Sequence, residues 1–189
     1  MKKIALLFFL CVLFFVTSFA HAQKVELITA NSIGPIKLGM TVAEVRKAIR
    51  PMKLIRTGDG EVDTLLAVVK GKETVMVLAA SPDDHPEKIN EKAKIFNISV
   101  YSPHYQNAEK VHPGMLLSTL EKKYGKVTIT LSEIESRESA SFQNSGLEVN
   151  IPPGSGIFPK NSMTTHKYKP NTTVVSMDIA DMRFFSHGP

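Results

Sequence analysis

Apolar and polar positions alternate with two different periods along this chain. Between residues 40 and 50, Met40, Val42, Val45, Ala48 and Ile49 recur at helical spacing, with Glu44, Arg46, Lys47 and Arg50 outside the stripe. That pattern predicts a short amphipathic helix. Thr41 stands where an N-cap belongs, and Glu44 three residues later completes a capping box. Pro51 ends the segment, because it lacks a backbone N–H and crowds the preceding turn. A second stretch, residues 111–125, reads VHPGMLLSTLEKKYG. Aligning Gly39-Met40 with Gly114-Met115 puts Leu120 opposite Val45 and Tyr124 opposite Ile49, and Gly125 closes the segment. Leu116 occupies the second cap position, so Ser118 with Glu121 is the expected substitute capping box.

Most remaining apolar residues follow period two. Met52–Thr57, Glu61–Val69, Glu73–Ala79 and Lys94–Ser102 read as strands, with turn signals at Gly58-Asp59-Gly60 and Gly71. The alternating sets Val127/Ile129/Leu131, Leu147/Val149/Ile151 and Val175/Met177/Ile179 complete six or seven strands. One covered and one wet face is typical of antiparallel sheets. The expected fold class is α+β: an antiparallel sheet with short helices packed on one face, as two degenerate tandem helix-plus-strands repeats. Ser81–Lys92 and the proline- and glycine-rich Pro152–Lys160 break the pattern and read as loops, the second of them flexible at Gly154-Ser155-Gly156.

The N-terminus changes the picture. Lys2 and Lys3 precede an unbroken apolar run from Ile4 to Val16, and Ala20-His21-Ala22 is a small-x-small cleavage site. Residues 1–22 are therefore expected to be a signal peptide cut near Ala22-Gln23. The run is shorter than the roughly 20 residues a membrane helix needs. The expected organisation is a single α+β domain over 23–189, with half-repeats about 23–90 and 91–189, in the periplasm or outside the cell and with no membrane span after cleavage. The one cysteine, Cys11, falls within the cleaved segment. Disulfides, thiolate zinc sites, iron–sulfur clusters and a thiol nucleophile are excluded from the mature chain, whose stability must come from a hydrophobic core.

Charge is informative mainly by its dispersion. The chain has 23 Lys plus Arg against 18 Asp plus Glu, and removal of Lys2 and Lys3 brings these nearly into balance. There is no tryptophan, and the only dense basic piece, His166-Lys167-Tyr168-Lys169, reads as a loop, so a nucleic-acid partner is not expected. No nucleotide or cofactor motif and no nucleophile elbow is present, and no catalytic residue or cofactor is proposed.

At Ile33-Gly34-Pro35-Ile36-Lys37-Leu38-Gly39-Met40-Thr41 the chain resembles the GIGPxxLGMT opening of small exported bacterial proteins. The following Gly-Met-Thr-x-x-x-Val helix is similar to that of the β-lactamase-inhibitor-protein-like and SmpA/OmlA-like domains. The resemblance implies a helix pair on an antiparallel sheet, often in tandem. It also implies non-catalytic roles: inhibiting an enzyme, supporting outer-membrane assembly, or binding an envelope partner. It carries over no functional residue, because the matching positions are caps and packing positions.

One cluster invites local chemistry. Asp83, Asp84 and His85, with His104 and His112 flanking a later loop, carry the donor types of a divalent-metal site. Their spacing matches no EF-hand or HExxH pattern, and a solvated loop with scattered histidines explains them more simply. The expected function is that of an exported, non-enzymatic protein binding a macromolecular partner, a protein or envelope component. The alternatives are an inhibitor of a hydrolase such as a β-lactamase or peptidase, or a metal-binding protein.

Overall fold

The computed structural model describes residues 25–59, 64–81, 88–134 and 136–181. The expected signal segment, the Asp83-Asp84-His85 cluster and His187 lie outside the described residues.

The chain enters as a narrow antiparallel ribbon of β1 (Glu26–Ile28), β2 (Ser32–Ile33) and β3 (Ile36–Lys37). α1 (Val42–Ala48) follows with both halves of its capping box formed. The Glu44 N–H donates to the Thr41 hydroxyl at 3.3 Å, and Glu44 Oε2 accepts from the Thr41 N–H at 2.8 Å. Two of the donors that a helix start leaves orphaned are thereby satisfied. Val42, Val45 and Ile49 point into the core.

β4 (Lys53–Asp59), β5 (Thr64–Lys70), β6 (Glu73–Ala80) and β7 (Ile95–Val100) form an antiparallel meander. The register aligns Val68 with Met76 and Val100, and Leu66 with Leu78 and Ile98. All six are shut off from solvent. At about 1.5–3 kcal/mol for each fully buried aliphatic side chain, this inner face is the main stabilising surface of the first half.

β8 (Tyr105–Asn107) pairs parallel with β1, giving a four-stranded sheet ordered β3-β2-β1-β8. α2 (Leu117–Tyr124) leads into a second antiparallel meander, β9 (Val127–Ser132), β10 (Arg137–Phe142) and β11 (Ser145–Ile151), edged by β12 (Thr164–Thr165). β13 (Met177–Ala180) returns to pair with β7, so the first meander becomes a five-stranded sheet ordered β13-β7-β6-β5-β4. Over the described residues the architecture is α+β, dominated by antiparallel sheets with two short helices whose apolar faces join one common core.

Three details bear on how the sequence achieves this. First, the lead into each helix is held by matching backbone hydrogen bonds to a later extended segment. Gly39 donates to Ile95 O, Ile95 to Met40 O, and Val42 to Ala93 O; Gly114 donates to Val174 O, Val174 to Met115 O, and Leu117 to Thr172 O, all at 2.7–3.0 Å. Second, α2 starts at Leu116 with no side-chain cap, and the expected Ser118–Glu121 box does not form. Glu121 is committed elsewhere, accepting from the Val127 N–H at 3.3 Å and the Tyr168 hydroxyl at 2.7 Å. The Leu117 N–H is satisfied by Thr172 O at 2.8 Å and the Thr119 N–H by Leu116 O at 3.0 Å, so the start of α2 is held by backbone acceptors alone. Third, Asn150 joins the two meanders edge to edge: its N–H donates to Ser176 O at 3.0 Å, and its carbonyl accepts from the Val175 N–H at 2.8 Å.

The stretch expected to be a flexible loop is tied down. Glu138, on β10 and only 3% exposed, accepts from the Gly154 N–H at 2.6 Å and the Gly156 N–H at 2.7 Å, one carboxylate oxygen to each. Ile157 and Ser155 are bonded in turn to Lys167 and Lys169 through the backbone.

Candidate functional site

Several connections meet at one end of the five-stranded sheet. Pro51 stops α1 and turns the chain into β4, so Arg50, Met52 and Lys53 sit at the sheet's end. The β5–β6 turn passes through Gly71 at φ +66°, a conformation that costs glycine nothing and other residues strain. Lys70 ends β5 just before that turn, and Lys53 opens β4 opposite Val69, so both cations lie at this end of the sheet. The link from β7 to β8 adds Ser102, His104 and Tyr105, and β1 adds Glu26. Together they enclose a cleft of about 460 Å³.

Its floor is apolar, made by Met52, Val69, Val75 and the Tyr105 ring. Its rim is cationic. Arg50, Lys53 and Lys70 are exposed, and their side chains make no hydrogen bond or ion pair with any described residue. Elsewhere three described cations pair, Arg46 with Glu91 at 2.8 Å, Lys123 with Glu109 at 3.4 Å, and Arg137 with Asp178 at 3.2 Å, while the side chains of exposed lysines such as Lys122, Lys126 and Lys160 stand without a partner among the described residues. A concave surface edged by one sign of charge focuses the field into the cleft and raises the local concentration of anions.

Glu26 is the one carboxylate among the described residues lining this cleft. Its Oε2 is buried and has no hydrogen-bond partner. The carboxylate packs over Gly34, so closely that a Cβ built there would lie 2.0 Å from Oε2 and 3.0 Å from the Tyr105 ring. Gly34 also holds φ +55°, so two independent constraints require glycine at this position. The Tyr105 hydroxyl is pushed up to about 12 by burial, with the nearby Glu26 charge adding to the effect. Among the lining groups, then, one acid retains an unused acceptor while three cations retain unused donors.

His104 lines the cleft, and its carbonyl accepts from the Glu26 N–H at 3.0 Å. His112 lies ahead of α2, its Nδ1 2.7 Å from Pro113 O. Among the described residues no three His, Cys, Asp or Glu side chains are grouped so as to hold a metal ion. Sequence reasoning missed Arg50, Lys53, Lys70, Glu26 and Gly34 as a group. The signal available was the β4–β5 pairing, which brings the start of one strand, at Lys53, to the same sheet end as the finish of the other, at Lys70. Gly34 carried a signal too, since it separates two isoleucines that both end up fully buried.

A second hollow, of about 480 Å³ between residues 157–159 and 164–167, gathers no such charge; Lys167 is its only formally charged lining residue.

No protein-family model matches the chain, and no curated protein matches it. Among solved structures, it is similar to the crystal structure of the uncharacterized protein yfeY from Escherichia coli, with a TM-score of 0.56 and 16% sequence identity. The match covers 82% of this chain and 99% of that one. At that identity the likeness is one of fold: nearly the whole of a bacterial protein shares this arrangement of short helices on antiparallel sheets.

Proposed function

We propose that this chain is an exported, non-enzymatic binding protein that holds a macromolecular partner, seating an anionic feature of that partner in the cleft at the end of the five-stranded sheet. The observation that carries the proposal is the set of three cations, Arg50, Lys53 and Lys70, that gather round an apolar floor and have no ion-pair partner among the described residues. Three cations against the single Glu26 carboxylate leave the cleft net positive, and a partner's anion gains charge-assisted hydrogen bonds there. Support for export comes from the N-terminal segment alone, with its basic start, apolar run and Ala20-His21-Ala22. The halves are read as degenerate copies of one helix-plus-strands unit. The matching hydrogen bonds at Gly39 and Gly114 support this. Such a duplication gives a rigid frame on which the end-of-sheet loops are displayed.

The test is crosslinked capture from native bacterial envelopes with the mature protein and with the Arg50→Glu/Lys53→Glu/Lys70→Glu variant. Wild type is expected to capture a defined species that weakens with rising ionic strength and is lost with the triple variant. Equal capture by both proteins would remove the cleft from the account.

A further inference from the structure

We infer that the outer face of the five-stranded sheet, the face turned away from the helices, is the docking surface of the chain's own C-terminal residues 182–189, with Phe184 and Phe185 seated on it. The inference stands apart from the cleft and from what the cleft binds.

Strand alternation sorts the sheet into two faces. Leu66, Leu78 and Ile98 point inward, to the core shared with the helices. The residues between them point outward, and the register lines them up in two rows: Ile55, Ala67 and Val77 in one, Leu65, Ala79 and Asn97 in the next. On this side Ala67 is 3% exposed and Ala79 8%, and Phe96, next to Asn97, is 4% exposed. None of the three belongs to the common core, although every other buried apolar residue among the described ones does. A methyl group on an open sheet stays in contact with water, because the neighbouring strands are about 4.8 Å away on either side. Burial of these residues therefore requires a cover on the outer side.

That cover is limited in width. Ile55, on the edge strand β4 and in the same row as Ala67, is 47% exposed. Cover thus reaches β5 from the β13 side and stops there. β13 is also where the chain leaves the sheet: the Asp181 N–H donates to Phe96 O at 2.8 Å, so the chain departs beside one of the covered residues. At no more than about 3.6 Å per residue, Phe184 and Phe185 have reaches of roughly 11 and 14 Å from Asp181. β6 and β5 lie about 10 and 14 Å from β13, and β4 about 19 Å. The two rings have the reach for Ala79 and Ala67 and stop short of Ile55.

Composition singles out this segment. The other internal stretches outside the described residues are Gly60-Glu61-Val62-Asp63, Pro82-Asp83-Asp84-His85-Pro86-Glu87 and Glu135, which bring charge and little apolar bulk. Residues 1–22 are expected to leave on export. Residues 182–189 bring Met182, Phe184 and Phe185, and aromatic rings gain most from covering an apolar sheet face.

The test uses the mature chain, residues 23–189, with a benzophenone-bearing phenylalanine analogue at position 184. Irradiation is expected to join that position to residues 64–80 of the same molecule, located by peptide mass mapping. Phe184→Ser/Phe185→Ser is expected to lower the melting temperature by roughly 5 °C and to raise the fluorescence of a dye that binds exposed apolar surface several-fold. Adducts between two molecules overturn the inference by giving the face to a second copy. Adducts confined to other segments overturn it too, as does a serine variant whose melting temperature and dye fluorescence match wild type.

Discussion

Replacing Glu138 by alanine tests whether the long loop after β11 is a built part of the domain. The carboxylate is buried on β10 and accepts from the Gly154 and Gly156 N–H groups at 2.6 and 2.7 Å. Hydrogen bonds to charged groups contribute about 1.5–3 kcal/mol each, and a buried N–H left without a partner costs about 1–3 kcal/mol. The two contributions overlap, since the same donors are counted in both, so Glu138→Ala is expected to cost about 3–5 kcal/mol. A domain of this size loses about 2–4 °C in Tm per kcal/mol, which predicts a fall of roughly 10 °C in a calorimetric melt. Glu138→Gln keeps one acceptor but turns an amide N–H₂ toward a backbone donor, and should recover part of the loss. Hydrogen exchange adds a local readout: the amides of Gly154 and Gly156 should lose protection in the alanine variant before the β5–β6 amides do. A melting temperature within about 2 °C of wild type, or unchanged protection at both glycines, would refute the reasoning.

The helix starts give opposite expectations. Thr41→Ala removes a formed capping box and should lower stability by about 1 kcal/mol, whereas Leu116→Ser supplies a missing cap and should raise it by a few tenths to about 1 kcal/mol, both read from urea midpoints at constant m. Gly34→Ala meets both a left-handed backbone and the Glu26 carboxylate, and should cost roughly 2 kcal/mol or more; adding Glu26→Ala should relieve the contact but not the backbone strain. Tyr105 and Tyr168 are both pushed up to about 12, chiefly by burial. The folded chain therefore holds protons that the unfolded chain releases from its ordinary value of 10, so stability should be level below about pH 10 and fall from there to about pH 12. Phenolate absorbance that rises as early in the folded as in the urea-denatured protein would contradict this. Glu109 is held below the ordinary carboxylate range, first by the Tyr124 hydroxyl and then by Lys123; Tyr124→Phe should move its titration upward in an NMR pH series.

Much of the fold was legible because local signals agreed with one another. Thr41, Glu44 and Pro51 bound a helix by capping and backbone sterics alone, the β-rich run at 73–79 became a strand, and so did the alternating run at 127–131, with Val127 and Ile129 buried. β10 was missed because its inward positions are Glu138, Ala140 and Phe142, so a carboxylate stands where alternation calls for an apolar side chain. Only the folded loop, with two N–H groups converging on that acid, explains its place. The start of α2 was misjudged for a related reason. Ser118 and Glu121 have cap spacing, but Glu121 is drawn off by Tyr168, 47 positions along the chain, a contact no local pattern reports. The cleft was hidden still further, since it collects residues from β1, the end of α1, a hairpin turn and the approach to β8. Periodicity says which residues face inward. It does not say which exposed cations will share a rim.

The most direct test of the binding role is site-specific photocrosslinking in native envelopes, with the photoreactive residue at Lys70 on the cleft rim or at Ile134, 99% exposed in the β9–β10 turn of the other meander. The account predicts a discrete adduct from position 70 that fades with rising ionic strength, and none from position 134. Adducts from both positions alike, or from 134 alone, would contradict it.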